Sequence, residues 1–260
     1  MPGYKDWIDA IDIKVDYFSA FMKAWIAFNA WYKNSGEVKG KTDKDCIEYI
    51  ANKENRFKTY IGNLLLSKDQ DGTAFRESLS SLHNTLLNAA IKTQEYTGVQ
   101  QTISFNEIAV KNGHNHDFFN HRNVKYDCLR TQDKVTTVIT IIKSSTEILR
   151  YEQAEYDLED LKQQSQFLQL SEERKRKCIE SYAKIKPYVI SSVIATNNNK
   201  IDIGIYSFVN DTSQISQAII IILYMLRCCL AHGNVSPDET ANKAYRYAYE
   251  VLVPPLKKLK

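Results

Sequence analysis

The spacing of apolar residues along this chain predicts a protein built mainly from helices. Apolar side chains recur at intervals of three and four residues over segments at about 5–33, 43–67, 73–94, 144–168, 171–186, 213–231 and 238–252. Thr42 is a suitable N-cap for the second segment. We expect the last segment to stop before Pro254, because proline has no backbone N–H to donate.

One internal stretch departs from this pattern. Residues 96–122 show no periodicity and are interpreted as a long loop. Apolar and polar residues then alternate over 124–128 and over 135–141, with a polar turn at 131–134, which is typical of a β-hairpin. A further alternation at 200–208 fits either a single strand or a second hairpin, and the sequence leaves the two open.

These patterns predict one mainly α domain over residues 1–260, with a loop and β-hairpin insertion at about 96–142. The chain has only nine glycines and five prolines, which is too few for a β-sandwich with many tight turns. It contains no internal repeat and no low-complexity linker.

Composition narrows the setting of the protein. The 34 basic residues nearly balance the 31 acidic ones, so any basic surface for nucleic acid must be local. The five cysteines lack metal-ligand spacing and indicate a reduced, cytoplasmic chain. Asp6, Asp9 and Asp12 interrupt the first apolar residues, so we expect no signal peptide. The apolar run 218–226 is too short to cross a bilayer, and we expect no membrane partner.

Arg227 and His232 are the most informative residues, because they lie at the end of an apolar segment and are followed at once by Gly233. Arginine binds phosphate oxygens with two parallel hydrogen bonds, and histidine exchanges protons near neutral pH. The ribose 2′-OH can itself attack the neighbouring phosphate, so this pair is enough to cut RNA without a metal. A simpler interpretation is a helix end, where a histidine is favourable and an arginine extends to solvent.

Two motifs resemble the HEPN superfamily. The residues at 227–233 read R-x4-H-G and resemble its R-x(4–6)-H signature. The residues at 25–32 read W-I-A-F-N-A-W-Y and are similar to the W-x-A-F-N-x-x-Y element of bacterial HEPN proteins of phage defence and abortive infection. A second R-x6-H match, from Arg76 to His83, lies in the middle of a helical pattern with no glycine after it.

The resemblance implies an up-and-down helical bundle that forms a homodimer through the motif helices and cuts RNA without a metal or other cofactor. It implies that Arg227 holds the scissile phosphate and that His232 acts as general acid or base. Cys228 occupies the position at which the family often has Asn, Asp or His.

Four further residues are candidates for binding the substrate, namely Tyr224, Cys228, Asn29 and Asn234. Tyr224 lies one helical turn before Arg227, and Asn29 is the polar residue of the aromatic segment. Residues five positions apart differ by about 140° around an ideal helix, so the helix end at Gly233 would have to aim the His232 ring.

The histidine-rich stretch at 113–121 is the main alternative site. Its potential ligands for zinc or another transition metal are His114, His116, Asp117 and His121. No ββα pattern surrounds them, and a polar surface loop is the simpler interpretation, so we predict no metal site.

The sequence therefore predicts a metal-independent endoribonuclease that leaves a 2′,3′-cyclic phosphate and a 5′-OH. We expect it to act in phage defence or as a toxin, with an antitoxin or other regulatory partner. The alternative is an inactive HEPN module that binds RNA, a nucleotide or a partner protein without cutting.

Overall fold

The computed structural model describes residues 16–93 and 102–260. Helix accounts for 51% of the structure and strand for 21%. The prediction of a mainly α, up-and-down helical bundle is therefore wrong, since the protein combines helices with a four-stranded antiparallel sheet and two smaller sheets.

The helices of the described residues are α1 (Tyr17–Asn34), α2 (Asp43–Asn52), α3 (Arg56–Leu66), α4 (Gln70–Ala89), α5 (Leu158–Gln163), α6 (Ser165–Leu168), α7 (Glu172–Lys184), α8 (Thr212–Ala231) and α9 (Glu239–Lys257). The strands are β1 (Ile108–Lys111), β2 (His116–His121), β3 (Val124–Arg130), β4 (Val135–Ile141), β5 (Thr146–Gln153), β6 (Tyr188–Ser191), β7 (Lys200–Ile203) and β8 (Tyr206–Val209).

The chain forms two compact units. Unit 1 comprises Met1–Ile108 and Ile190–Lys260, and unit 2 comprises Ala109–Val189. Unit 2 thus takes in more of the chain than the insertion predicted at 96–142.

Helix α8 is the central element of unit 1. It packs against α2 and α3, while α9 packs against α1 and α4. Every residue from 218 to 226 is buried, because apolar side chains cover the whole circumference of this part of α8. By length and composition α8 could cross a membrane, but 67% of its apolar window is buried inside the protein, as in a core helix.

Two predicted helices of unit 1 have different bounds in the structure. The segment 43–67 is divided into α2 and α3 by Asn55, whose side-chain amide donates to the carbonyls of Ile50 and Lys53 (2.8 Å each) and whose side-chain oxygen caps α3. Helix α9 continues through Pro254 and Pro255 to Lys257. The stop predicted before Pro254 is wrong, because the last turn of a helix can contain proline at the cost of only the hydrogen bonds that its missing N–H would have donated.

The alternation at 200–208 is a hairpin in the structure. Strands β7 and β8 pair from Lys200↔Val209 to Ile203↔Tyr206. The turn needs Gly204, which has a φ of +60° and lies against the side chain of Ser80.

Unit 2 is a four-stranded antiparallel sheet in the order β2-β3-β4-β5 with helices α5 to α7 on one face. The predicted β3–β4 hairpin is confirmed and pairs from Val124↔Ile141 to Arg130↔Val135. Alternate residues point into the core, where Tyr126 and Ile139 pack in the same apolar cluster as Tyr182.

Two further expectations in unit 2 are wrong. Much of the helix predicted at 144–168 is strand β5, because pairing with β4 overrides the local helical spacing. The loop predicted at 96–122 contains β1 and β2 in its described part, and β2 forms the edge of the sheet beside β3. Residues 94–101 lie outside the described residues.

Candidate functional site

The predicted motif lies where α8 ends. Gly233 has a φ of +67°, and its N–H donates to the Leu230 carbonyl at 3.2 Å. The Asn234 N–H donates to the Cys229 carbonyl at 2.8 Å. This pair of hydrogen bonds around a left-handed glycine is a Schellman motif, so the predicted helix end is confirmed. His232 is the C-cap residue, with φ −98° and ψ 5°.

Arg227 lies one turn before that end, and 26% of its side chain is exposed. Its Nη2 is 3.4 Å from Asp43 Oδ2, and its Nη1 is 3.9 Å from the Cys228 sulfur. Its Nε atom is buried and has no hydrogen-bond partner among the described residues. The guanidinium is therefore only partly satisfied where it stands.

Three donor side chains surround the Asp43 carboxylate. Besides Arg227, its Oδ2 accepts from the Asn29 amide at 3.5 Å, and its Oδ1 is 3.2 Å from Lys33 Nζ. Asn29 and Lys33 are four residues apart on α1 and so lie on the same face of that helix. We call Asn29, Lys33, Asp43 and Arg227 the Asp43 cluster.

The hydrogen bond to Asp43 holds the pKa of Lys33 above its usual value, so Lys33 is a cation near neutral pH. The cluster therefore has two positive groups and one neutral amide around a single carboxylate.

Asp43 is held in place by local helix chemistry. It is the first residue of α2, directly after the N-cap Thr42. The Thr42 hydroxyl accepts from the Asp45 N–H, and the Asp45 carboxylate accepts from the Thr42 N–H, which makes a capping box. An acidic residue in the first turn is also favoured by the helix dipole.

Two buried tyrosines border the cluster. Tyr32 accepts a hydrogen bond from the Asn29 amide at 2.6 Å. Burial, followed by the negative charge of Asp43, raises the pKa of Tyr32. Burial and the neighbouring Cys228 thiol likewise raise the pKa of Tyr224. Both phenols are therefore neutral near pH 7 and neither is a suitable base.

His232 is exposed, and its ring makes no hydrogen bond or ion pair with any described residue. Within one chain the two motif residues thus have different surroundings. Arg227 faces Asp43 on α2, whereas the His232 ring is open to solvent at the helix end.

The structure brings together some of the predicted site residues and adds others. Asn29 shares the Asp43 carboxylate with Arg227, and Cys228 contacts the guanidinium. Asn234 supports the helix end through its backbone. Sequence analysis missed Lys33 and Asp43. Lys33 could have been found from its spacing to Asn29, but no local pattern marks a residue 184 positions away from Arg227.

The side chains of the second R-x6-H match, Arg76 and His83, are both engaged within unit 1. Arg76 donates to the carbonyls of Leu64 and Leu65 at 3.2 Å each, and to that of Ser67, at the end of α3. His83 is 2% exposed and packs edge-on against aromatic rings, the nearest being Tyr206 at 4.4 Å between centroids. Both side chains are therefore used within the fold.

The histidines of unit 2 do not converge. His116 pairs with Asp127 at 2.8 Å, His121 pairs with Glu173 at 3.0 Å, and His114 lies 3.7 Å from Asp117. In the described part of the chain, no three His, Cys, Asp or Glu residues are grouped as a metal site would require.

The arrangement in unit 1 places Arg227, Lys33 and the Asn29 amide around one carboxylate, and it places the His232 imidazole at the end of the same helix as Arg227. These are the groups required for chemistry at a phosphate. No family model, curated protein or solved structure matches the chain.

Proposed function

We propose that this protein is a metal-independent endoribonuclease of the HEPN type, cytoplasmic and acting in phage defence or as a toxin under a regulatory partner. The observation that supports the proposal is the end of α8. A partly exposed arginine lies there in the last turns of a largely buried helix, and an exposed histidine is the C-cap of that helix. That helix fixes the backbone of both residues, as a reactive pair requires.

The proposed reaction needs no added water or oxidant. His232 takes the proton of a ribose 2′-OH, and the resulting oxygen attacks the adjacent phosphorus. The P–O5′ bond breaks as the new P–O2′ bond forms, and the imidazolium formed when His232 took the 2′ proton donates that proton to the departing 5′ oxygen. Arg227 stabilises the extra negative charge on the phosphate oxygens in the transition state. The products are a 2′,3′-cyclic phosphate and a 5′-OH.

A homodimer would complete this site. The His232 ring makes no contact with Arg227 in one chain, so a partner's histidine can approach the arginine from solvent. The apolar residues of α8 from 218 to 226 are buried inside unit 1. We therefore place the dimer contact at the exposed end of α8, around Ala231 and His232, and not along its apolar face.

The test is cleavage of single-stranded RNA in the presence of EDTA, with analysis of the product ends. We expect the wild-type protein to cut and to leave cyclic phosphates, and His232→Ala to be inactive while still folded. Cutting that stops in EDTA, or that leaves 3′-OH ends, contradicts the proposal.

A second candidate is a module that binds RNA or a nucleotide without cutting it. Two observations favour it, namely the thiol of Cys228 beside the motif arginine and the carboxylate of Asp43 on the guanidinium. RNA binding by a folded protein that cuts no RNA, with or without EDTA, would establish this alternative.

A further inference from the structure

The Asp43 cluster contains groups that are suited to binding an anion, and the anion that they contact is a carboxylate of the protein itself. Two cations and an amide from α1 and α8 converge on one carboxylate from α2. The Asp43 side chain is 32% exposed, and those of Lys33 and Arg227 are 37% and 26% exposed, so a ligand from solvent can reach all three.

Asp43 fits this site poorly. Its three N···O distances are 3.2, 3.4 and 3.5 Å, whereas a charge-assisted hydrogen bond is normally about 2.7–2.9 Å long. The same protein makes such a bond elsewhere, since Arg150 and Glu147 form a bidentate pair with both contacts at 2.7 Å. Asp43 reaches only one nitrogen of Arg227 and leaves the buried Nε without a partner.

We propose that Asp43 occupies the place of a phosphodiester group and that single-stranded nucleic acid binds Arg227, Lys33 and Asn29 by displacing its carboxylate. The two non-bridging oxygens of a phosphodiester, unlike one carboxylate oxygen, can engage two nitrogens of Arg227 together, and one of these oxygens can also accept from Lys33. The inference rests on the proposed function for the role of Arg227. It adds Lys33 as a binding residue and Asp43 as an internal competitor.

Asp43 can leave without unfolding its helix. The capping box that starts α2 uses Thr42 and Asp45, and the Asp43 side chain has no part in it. Rotation of the Asp43 side chain therefore exposes the two cations while the backbone of α2 keeps its cap.

The test compares Asp43→Asn with Asp45→Asn in the full chain. Each variant removes one negative charge from the first turn of α2, and an asparagine at 45 keeps an acceptor for the Thr42 N–H. The probe is a fluorescent single-stranded DNA oligonucleotide, which lacks the 2′-OH and cannot be cut by the proposed reaction. Its Kd is measured by anisotropy at low and moderate salt, and circular dichroism checks the fold.

We expect Asp43→Asn to bind the probe about tenfold more tightly than the wild type, because a competing charge near two cations has been removed. Asp43→Ser is expected to act in the same way. Asp45→Asn should match the wild type. Adding Lys33→Gln to Asp43→Asn should abolish the gain, since the second cation is then missing.

Weaker or unchanged binding by both Asp43 variants would overturn the inference, because it would mean that Asp43 orients Arg227 for its ligand. An equal gain in Asp45→Asn would also overturn it, since the effect would then be general electrostatics. Displacement of the probe by inorganic phosphate at constant ionic strength would support the site, since phosphate and the phosphodiester groups of the probe would compete for the same two cations.

RNA cleavage by the wild type and probe binding by the Asp43 variants together distinguish failure of the proposed function from failure of the anion site. If the wild type cuts no RNA but Asp43→Asn binds the probe more tightly, the ribonuclease proposal fails and the anion site stands. If the wild type cuts RNA and both Asp43 variants bind no better, the anion site fails and the ribonuclease proposal stands.

Discussion

Two arginine–histidine pairs in this chain share a sequence pattern but have opposite environments. Arg76 donates to three carbonyl groups at the end of α3, and His83 is buried among aromatic rings. Arg227 has one long contact to a carboxylate, and the His232 ring is exposed. The Arg76 guanidinium is bonded within the fold and the His83 ring is closed off from solvent, whereas Arg227 and His232 are both accessible to a ligand.

This difference shows that the sequence spacing of an arginine and a histidine does not reveal whether their side chains are available to a ligand. An arginine commits its five N–H donors either to its own protein or to a ligand, and a histidine exchanges protons with a substrate only where solvent reaches its ring. Burial and partners, which depend on distant parts of the chain, decide between these uses.

The largest expected difference between the Arg227–His232 pair and the Arg76–His83 pair is their effect on the rate of RNA cleavage. Arg227→Ala and His232→Ala are each expected to lower the rate of RNA cleavage about 10²- to 10⁴-fold, since one removes phosphate stabilisation and the other removes proton transfer. Arg76→Ala and His83→Phe are the matched controls and should leave the rate per folded molecule unchanged. The measurement is initial cleavage rate, normalised to the folded fraction seen by circular dichroism.

A loss of cleavage in the Arg76 and His83 controls equal to that in the motif variants would contradict the comparison. It would mean that both pairs act only through the fold.

The free energy of unfolding should depend more on Arg76 than on Arg227, which is the reverse of the order expected for activity. Arg76→Ala leaves the last carbonyls of α3 without a charged donor and is expected to lower the free energy of unfolding by about 1.5–3 kcal/mol. Arg227→Ala removes one partly exposed ion pair and should cost about 1 kcal/mol or less. Urea denaturation measures both values, and a larger loss for Arg227→Ala would identify it as the structural arginine.

The buried His83 ring should make the stability of the protein depend on pH. Burial lowers the pKa of His83 below its usual 6.5, so the folded state holds this ring neutral. As the pH falls below about 6.5 the unfolded state takes up a proton that the folded state resists, and stability is lost. The wild type should therefore lose more stability than His83→Phe between neutral and mildly acidic pH. Parallel curves for the wild type and His83→Phe would show that His83 makes no such contribution.

Local periodicity and apolar content were enough to predict several elements. Helices α7 and α8 and the β3–β4 hairpin have the predicted positions. Strand β5 was missed because residues 144–168 show helical spacing, and only the pairing with β4 makes residues 146–153 a strand. The break at Asn55 was missed because it depends on that side chain's bonds to nearby carbonyls.

The candidate site divides in the same way. Arg227, His232 and Gly233 are adjacent on one helix end, and their spacing is visible in the sequence. The contact from Asp43 to Arg227 is not visible there, because it exists only when α2 packs on α8. A site residue that is defined by tertiary packing leaves no local signal.

Because unit 2 interrupts unit 1 in the sequence, a ribosome synthesises unit 2 between the two segments of unit 1. Unit 2 is continuous from Ala109 to Val189 and can close its core during synthesis. Helices α2 and α3 must wait for α8 to cover their apolar sides, because α8 follows unit 2 in the chain. A chain that stalls anywhere before α8 carries neither Arg227 nor His232. Incomplete translation of a nuclease of the proposed type would therefore release no active fragment into the cell.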